Sequence, residues 1–204
     1  MSNISETIQA RTSASQYDKT RTLDEAEIIE LITLATQAPS AFNLQNWKFI
    51  AVHGEAAKEK LLPLAFNQPK IVEAAVTFIV CGTLEPHLTL PAALRPTVEA
   101  GIITEETYQG WLSAVTNMYA TNPTMQRDEA IRSASLAGMT LMLAAQGNGL
   151  ISCPMIGFNA AAVAEQFSLP ATDIPVMLIT VGYAAEGNWP KKPRKAVRDI
   201  LHFV

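Results

Sequence analysis

The sequence predicts an α+β fold in a single domain spanning residues 1–204. A chain of 204 residues is close to the usual length of one domain, roughly 100–200 residues. Its composition, 49% apolar and only 17% charged, is that of a globular protein rather than a disordered one. Short apolar runs alternate with helical patterns at irregular spacing. That irregularity argues against a regular βαβ repeat and favours α+β.

Four apolar runs are predicted to be strands. Residues 47–52 form the first, and His53-Gly54 is its turn. The run 75–81 is almost continuously apolar, which is typical of a strand buried on both faces. The other two predicted strands are 150–153 and 176–183.

Helices are predicted from apolar spacing and from capping residues. Thr22 and Glu25 form a capping-box pair ahead of Ile28 and Leu31, and Pro39 ends that helix. Further helices are expected at 55–62, 128–146 and 159–167. The helix at 128–146 is apolar around most of its circumference and should therefore lie centrally.

Residues 84–124 follow a looser pattern. Their helical pieces are interrupted by prolines, namely Pro86, Pro91, Pro96 and Pro123. We predict a mobile excursion near the active site that carries Trp111 and Tyr119.

Composition and motifs exclude several classes of protein. The formal charge of −4 argues against a nucleic-acid binder, which usually carries a basic excess. Cys81 and Cys153 are too few for a disulfide framework. The N-terminus lacks the features of a signal peptide, and no apolar run reaches the ~20 residues that span a bilayer. We therefore expect a soluble, cytoplasmic protein without a membrane segment.

Familiar catalytic motifs are absent as well. The sequence contains no G-x-S-x-G, H-E-x-x-H, C-x-x-C, P-loop or G-x-G-x-x-G motif. His53, His87 and His202 lie far apart and lack the spacing of metal ligands. We expect no metal site and no hydrolytic triad.

Cations and hydroxyls near the two ends could hold an anion. Five cations crowd the tail: Lys191, Lys192, Arg194, Lys195 and Arg198. They form either a solvated terminus or a clamp for phosphate, to which arginine offers a planar fork. Arg11, Thr12 and Ser13 suit a phosphate too, although such segments are common on surfaces.

Three further segments carry polar groups where a packed domain does not need them. Residues 38–47 place Ser40, Asn43 and Gln45 between a helix and a strand, as an amide-rich turn or as partners for a heteroaromatic ring. Asn67 and Lys70 pair an amide with a cation. Residues 153–158 are either an ordinary strand-to-helix turn or a place where bare backbone meets a planar ligand.

Taken in chain order and with their spacing, the five segments resemble the nitroreductase family. The resemblance covers almost the whole chain. The matching motifs are Arg-x-Ser, A-P-S-x-x-N-x-Q-x-W, an amide-x-x-Lys, P-x-x-G-F, V-G-Y after a strand, and a Lys-x-Arg tail. The resemblance implies a central, mainly antiparallel sheet flanked by helices. It also implies an intertwined homodimer, with FMN at the interface and NAD(P)H as co-substrate.

The resemblance also implies roles for particular residues. Arg11, Lys192 and Arg194 should hold the phosphate and ribityl end, with Ser13 and Thr12 adding hydrogen bonds. Ser40 and Asn43 should approach from the partner subunit, and Asn67 and Lys70 should face the pyrimidine edge. Backbone around Ile156 and Gly157 should support flavin N5, and no side chain acts as a catalytic group. The predicted cofactor contacts are Arg11, Thr12, Ser13, Ser15, Ser40, Asn43, Gln45, Asn67, Lys70, Pro154, Met155, Ile156, Gly157, Lys192 and Arg194.

The implied activity is ping-pong hydride transfer through flavin N5 from NAD(P)H to a nitroaromatic, quinone or enone. Phe42 and Trp111 are the predicted stacking partners for the acceptor, although Trp111 also suits core packing. Ser15 stands where many members have a second cation, and Asn46 replaces a common proline. The alternatives are another flavin reaction, such as reductive dehalogenation or flavin cleavage, and a flavin-binding dimer without turnover.

Overall fold

One antiparallel sheet organises residues 3–204, the part of the chain that the computed structural model describes. Its strands are β1 (Trp47–Val52), β2 (Val76–Thr83), β3 (Ile151–Met155) and β4 (Asp173–Gly182). The helices are α1 (Ile4–Ala10), α2 (Glu25–Ala35), α3 (Glu55–Leu64), α4 (Lys70–Glu73), α5 (Pro86–Glu99), α6 (Glu105–Tyr119), α7 (Pro123–Gly147) and α8 (Ala160–Gln166). Single 3-10 turns lie at Ala41–Asn43 and Val197–Asp199.

The strand order is β1-β2-β4-β3, and every neighbouring pair is antiparallel. β2 and β4 therefore occupy the centre, which explains why 75–81 reads as an apolar run with no polar face. β1 and β3 form opposite edges of the sheet. The expected α+β architecture with a mainly antiparallel sheet is confirmed.

Helices cover both faces of the sheet. On one face, α2 and α7 pack on a core that includes Phe78, Val80 and Ile179. On the other face, α3, α4 and α8 pack on Ile79 and Leu178. α7 crosses β2 so closely that a Cβ on Gly82 would lie 2.4 Å from the Ala130 carbonyl oxygen. The central position expected for this helix is confirmed.

Several helix starts differ from the sequence-based prediction: α7 begins at Pro123 rather than at 128, and α4 was not predicted. The cap of α2 is Asp24 with Glu27, two residues after the predicted pair. The Asp24 carboxylate accepts from the Glu27 N–H at 2.8 Å, and the Glu27 carboxylate accepts from the Asp24 N–H at 2.9 Å. α1 was not foreseen, although Asn3 and Glu6 form a capping box of the same kind.

Residues 84–124 are helical over most of their length, in α5 and α6. Pro86 occupies the first turn of α5, where a proline is well tolerated, while Pro91 and Pro96 lie inside the helix. The two helices share a separate small core with Leu44, built on side chains such as Leu94 and Val115. The prolines therefore do not break the segment as the sequence suggested. Its mobility stays a prediction.

No helix within residues 3–204 combines the length and the apolar character that crossing a membrane requires.

Candidate functional site

A small cavity of about 90 Å³ lies between the N-terminal segment and the C-terminal tail. Its lining combines hydroxyls, one aromatic ring and cations: Thr12, Ser13, Trp189, Pro190, Lys191, Lys192 and Arg194. Four of the predicted phosphate contacts, Thr12, Ser13, Lys192 and Arg194, are thus brought together. The Lys192 ammonium lies 4.9 Å from the centroid of the Trp189 ring. A cavity of this size and chemistry suits a phosphate group.

Arg11 directly precedes these residues, at the end of α1. One guanidinium nitrogen, Nη1, is buried and has no hydrogen-bond partner among the described residues. A buried guanidinium nitrogen without a partner is costly, because the charged group loses water and gains nothing in return. An anion is the natural partner for such a group.

Ser15 contacts the tail rather than the cavity. Its backbone N–H donates to the Asn188 Oδ1 at 2.8 Å, and its hydroxyl lies 3.4 Å from the same oxygen. Lys191 lines the cavity, but its ammonium donates to the carbonyls of Ile8 and Gln9 at 3.0 and 2.7 Å. The exposed tail is therefore attached to the N-terminal segment by hydrogen bonds, and its role as a phosphate clamp stays a prediction.

The second cluster of predicted residues lies at the end of β3. The Gln68 side chain donates to the Gly157 carbonyl at 2.8 Å and to the Ala65 carbonyl at 3.1 Å. The Lys70 ammonium lies 3.5 Å from the Cys153 sulfur. These contacts bring the segment with Asn67 and Lys70 against the 153–157 turn, and binding of a ring there stays a prediction.

Exposed and buried residues alternate at the end of β3 and in the turn after it. Met155 is buried, whereas the Ile156 side chain is 87% exposed and Pro154 is exposed. A Cβ added at Gly157 would lie 3.1 Å from the Gln68 side-chain nitrogen, so a larger residue would push Gln68 aside. Asn67 itself is exposed and has a left-handed backbone, with φ +54°.

β3 connects the two clusters. Ser13 pairs with Ser152 in a parallel bridge, and the Ala14 N–H donates to the Ser152 carbonyl at 3.0 Å. The next residue, Cys153, contacts Lys70. The phosphate-type cavity and the amide-cation cluster therefore lie along one edge strand, and an elongated ligand with an anionic end could contact both.

Residues 40–45 lie at the other edge of the sheet, just before β1. Three of them, Phe42, Asn43 and Gln45, have left-handed backbones with φ between +48° and +57°. The Ser40 hydroxyl accepts from the Gln45 N–H at 2.9 Å and stabilises this turn. Non-glycine residues rarely adopt this conformation, and it is found more often at functional sites.

The two predicted stacking residues contact each other. The rings of Phe42 and Trp111 meet edge to face, with centroids 5.8 Å apart. Both pack on the small core of α5 and α6, so Trp111 serves packing whatever else it does.

The largest grooves lie elsewhere. One of about 450 Å³, between α7, α8 and the start of β4, contains none of the predicted site residues. Within residues 3–204, no cluster of three His, Cys, Asp or Glu side chains could hold a metal ion.

Sequence reasoning missed Gln68, Asn188 and the anchoring role of Lys191. Gln68 stands inside a segment that was singled out, so an amide beside Asn67 was an available signal. For Asn188 no sequence signal existed, because its partners in the N-terminal segment, Ser15 and Gln16, are more than 170 residues away.

Comparison with known proteins agrees with this geometry. The model of the nitroreductase family matches residues 8–183. A relative from Bacillus subtilis named “Putative NAD(P)H nitroreductase YodC” is 37% identical over 186 residues, which covers 91% of this chain and 92% of the relative.

Two solved structures share this fold. A “putative nitroreductase in complex with FMN” from Exiguobacterium sibiricum has a TM-score of 0.93 and 28% identity, covering 100% of this chain and 98% of that one. The enone reductase CLA-ER, from a gut-bacterial fatty acid saturation metabolism, has a TM-score of 0.89 and 25% identity, covering 100% and 99%.

Proposed function

The chain belongs to the nitroreductase family, and from this premise we propose that it binds FMN and uses NAD(P)H to reduce electron-poor small molecules. The chemistry that bound FMN supplies is two-electron hydride transfer. The observation that carries the proposal is the alignment of an anion cavity and an amide-cation cluster along β3. The buried Nη1 of Arg11, which has no hydrogen-bond partner within residues 3–204, fits a phosphate-bearing cofactor.

Each end of the site has a separate task. Lys192, Arg194 and the hydroxyls of Thr12 and Ser13 bind the phosphate, and Arg11 adds its free nitrogen. At the other end, Asn67 orients the pyrimidine edge by hydrogen bonding. The Lys70 ammonium, also beside the Cys153 sulfur, stabilises negative charge there.

The turn at 154–157 supplies backbone rather than a side chain. Gly157 allows close approach, and Gln68 fixes the turn through the Gly157 carbonyl. The exposed Ile156 side chain leaves room for a planar ring beside the main chain. No side-chain acid or base is required at this point, in agreement with the absence of such motifs in the sequence.

The site is completed by a second copy of the chain. Ser40 and Asn43 precede β1, and the 154–157 turn follows β3, at opposite edges of a four-stranded sheet. Three strand spacings separate these edges by about 14 Å within one chain. Exposed apolar side chains on α7, Leu136 and Met139, offer surface for a partner. We therefore place Ser40 and Asn43 of the partner subunit at each site.

The acceptor is proposed to be a planar, electron-poor compound such as a nitroaromatic, a quinone or an enone. The edge-to-face pair of Phe42 and Trp111 provides aromatic surface for such a compound. The similarity to CLA-ER, an enone reductase, supports the enone as one candidate.

Anaerobic mixing of the FMN-loaded protein with NADH or NADPH tests the proposal. We expect loss of the visible flavin absorbance, followed by its return when a quinone, nitroaromatic or enone is added. Protein that binds FMN but is not reduced by either nicotinamide would instead be a binding protein without turnover. Protein that takes up no FMN would contradict the proposal altogether.

A further inference from the structure

Asn188 joins the two chain segments that enclose the anion cavity. Its Oδ1 accepts from the backbone N–H groups of Ser15 and Gln16 at 2.8 and 3.1 Å. Its Nδ2 donates to the carbonyls of Gln16 and Ala185 at 2.8 and 3.0 Å. One side-chain amide thus uses its acceptor and both of its donors between the N-terminal segment and the tail.

The place of Asn188 in the chain makes this contact important for the cavity. On one side, its partners Ser15 and Gln16 follow Ser13, which lines the cavity. On the other side, Asn188 itself precedes Trp189, the first tail residue of the lining. The amide therefore fixes the distance between the two walls, one with hydroxyls and one with cations.

Neighbouring residues support this geometry. Gly187 has φ +89°, a left-handed conformation that favours glycine, and it turns the chain so that Asn188 faces the N-terminal segment. Lys191 provides a second anchor through the carbonyls at the end of α1. Between the two anchors the chain passes the cavity wall at Trp189 and Pro190.

We propose that Asn188 is a positioning residue that sets the cavity for a phosphate monoester, and this inference rests on the proposed function. It acts through Thr12, Ser13, Lys192 and Arg194, and it need not touch the ligand. The backbone N–H of Ser15 belongs to the same set of hydrogen bonds.

The proposal makes a selective prediction about two ligands. FMN carries the phosphate and riboflavin does not, while both carry the same ring. The ring end of the site is held by Gln68 and Lys70, which do not contact Asn188. Loss of the Asn188 side-chain amide should therefore weaken FMN binding and leave riboflavin binding almost unchanged.

The test is titration of apo-protein with FMN and with riboflavin, in which quenching of the flavin fluorescence measures binding. For Asn188→Ala we expect the FMN dissociation constant to rise about tenfold, because charged hydrogen bonds to the phosphate lose their alignment. The riboflavin constant should change by less than about threefold, within the scatter of ordinary surface substitutions. Asn117→Ala, an exposed asparagine on α6, is the matched control and should change neither constant.

Asn188→Asp is a second variant of nearly the same size, in case the alanine variant folds poorly. It keeps the acceptor, loses the donors and adds a negative charge beside the cavity. FMN binding should weaken at least as much as in Asn188→Ala, and riboflavin binding should not.

Each remaining result has a defined meaning. Unchanged FMN affinity in both variants would overturn the inference. Equal weakening of FMN and riboflavin would also overturn it, because Asn188 would then support the whole site rather than the phosphate cavity. If the unmodified protein binds riboflavin and FMN equally well, the phosphate cavity itself is wrong. If it binds neither, the proposed function fails.

Discussion

Three cations within four residues of the tail differ in what they contact. The Lys191 ammonium donates to two carbonyls at the end of α1, where a positive charge also stabilises the helix dipole. Lys192 lies over the Trp189 ring, and Arg194 donates to the Lys192 carbonyl at 2.9 Å. Most N–H donors of Lys192 and Arg194 are therefore available to a ligand, whereas the Lys191 ammonium attaches the tail to α1.

Replacing Lys192 and Arg194 by alanine should release FMN without unfolding the protein. Loss of two charge-assisted contacts, each worth roughly 1.5–3 kcal/mol, predicts an affinity at least about a hundredfold lower. Both side chains are exposed, so the free energy of unfolding should change by only about 0.5 kcal/mol. Flavin content after gel filtration and urea unfolding measure the two effects.

The double variant Lys195→Ala/Arg198→Ala is the matched control, because it removes the same net charge from tail residues outside the cavity lining. It should retain flavin. Equal flavin loss in both double variants would mean that the tail acts through its overall charge and not through the cavity.

At the scale of elements, a buried polar cluster attaches α6 to α7. The Tyr119 hydroxyl donates to the buried Glu129 carboxylate at 3.3 Å, and Ser133 and Arg132 bond to the same group. Gln126 donates to the Tyr119 carbonyl at 2.8 Å and accepts from the Glu85 N–H at 3.2 Å. Hydrogen bonds to α7 therefore hold the helical pair α5 and α6, which carries Trp111. The pair has its own small hydrophobic core, separate from those on the sheet.

This cluster predicts a pH dependence of stability. Burial, with the negative charge of Glu129, raises the pKa of Tyr119 from 10.0 to about 12. The folded protein therefore holds this proton more tightly than the unfolded chain does. The associated stability is complete below about pH 10, where unfolded tyrosine is still protonated, and is lost as the pH rises through about 12.

Urea unfolding at several pH values between 9 and 12 measures this effect. The free energy of unfolding should fall with pH, partly because burial also raises the pKa of the Cys81 thiol to about 12. In Tyr119→Phe the decline should be shallower than in the unmodified protein. Parallel curves for the two proteins would refute the role given to Tyr119.

At the scale of the whole molecule, the sheet separates residues that one site would need. The anion cavity and the 154–157 turn lie along the β3 edge, and Ser40 and Asn43 lie by the β1 edge. The strained turn at 42–45 is built from asparagine, glutamine and phenylalanine rather than glycine, so its shape is retained at a cost of about 1 kcal/mol or more per residue. A role toward a second copy of the chain would account for that cost.

A subunit-complementation experiment tests this arrangement. One chain carries Lys192→Ala/Arg194→Ala, and the other carries Asn43→Asp, which tolerates a left-handed backbone but brings a negative charge toward the ligand. Each homodimer should lose FMN. The co-expressed heterodimer contains one unaltered site and should bind about one FMN per dimer, as measured by absorbance after purification with two different tags. A heterodimer without flavin, or a monomer in sedimentation, would contradict shared sites.

Much of the fold could be predicted from local patterns. The apolar run at 75–81 indicated the central strand β2. The helix at 128–146, apolar around most of its circumference, indicated the central α7. Both predictions were possible because an element that is buried on every side is made almost entirely of apolar and small residues. In the 84–124 segment Pro91 and Pro96 suggested helix breaks that α5 does not show, because α5 and α6 pack together with Leu44 in a small core of their own. Of the candidate site, the residue types and their order were evident, and the structure brings Thr12 and Ser13 together with Lys192 and Arg194 in one cavity.

The sequence alone thus determined the α+β class and the family and predicted the chemical character of the candidate site, because these depend on residue type and on spacing along the chain. Only the tertiary structure decided that Asn188 ties residues 15 and 16 to the tail, that Lys191 is an anchor, and that Gln68 fixes the Gly157 turn. The physical reason is distance along the chain. A hydrogen bond between residues 173 positions apart leaves no periodic trace in the sequence, since it exists only after the sheet has brought both segments to the same edge.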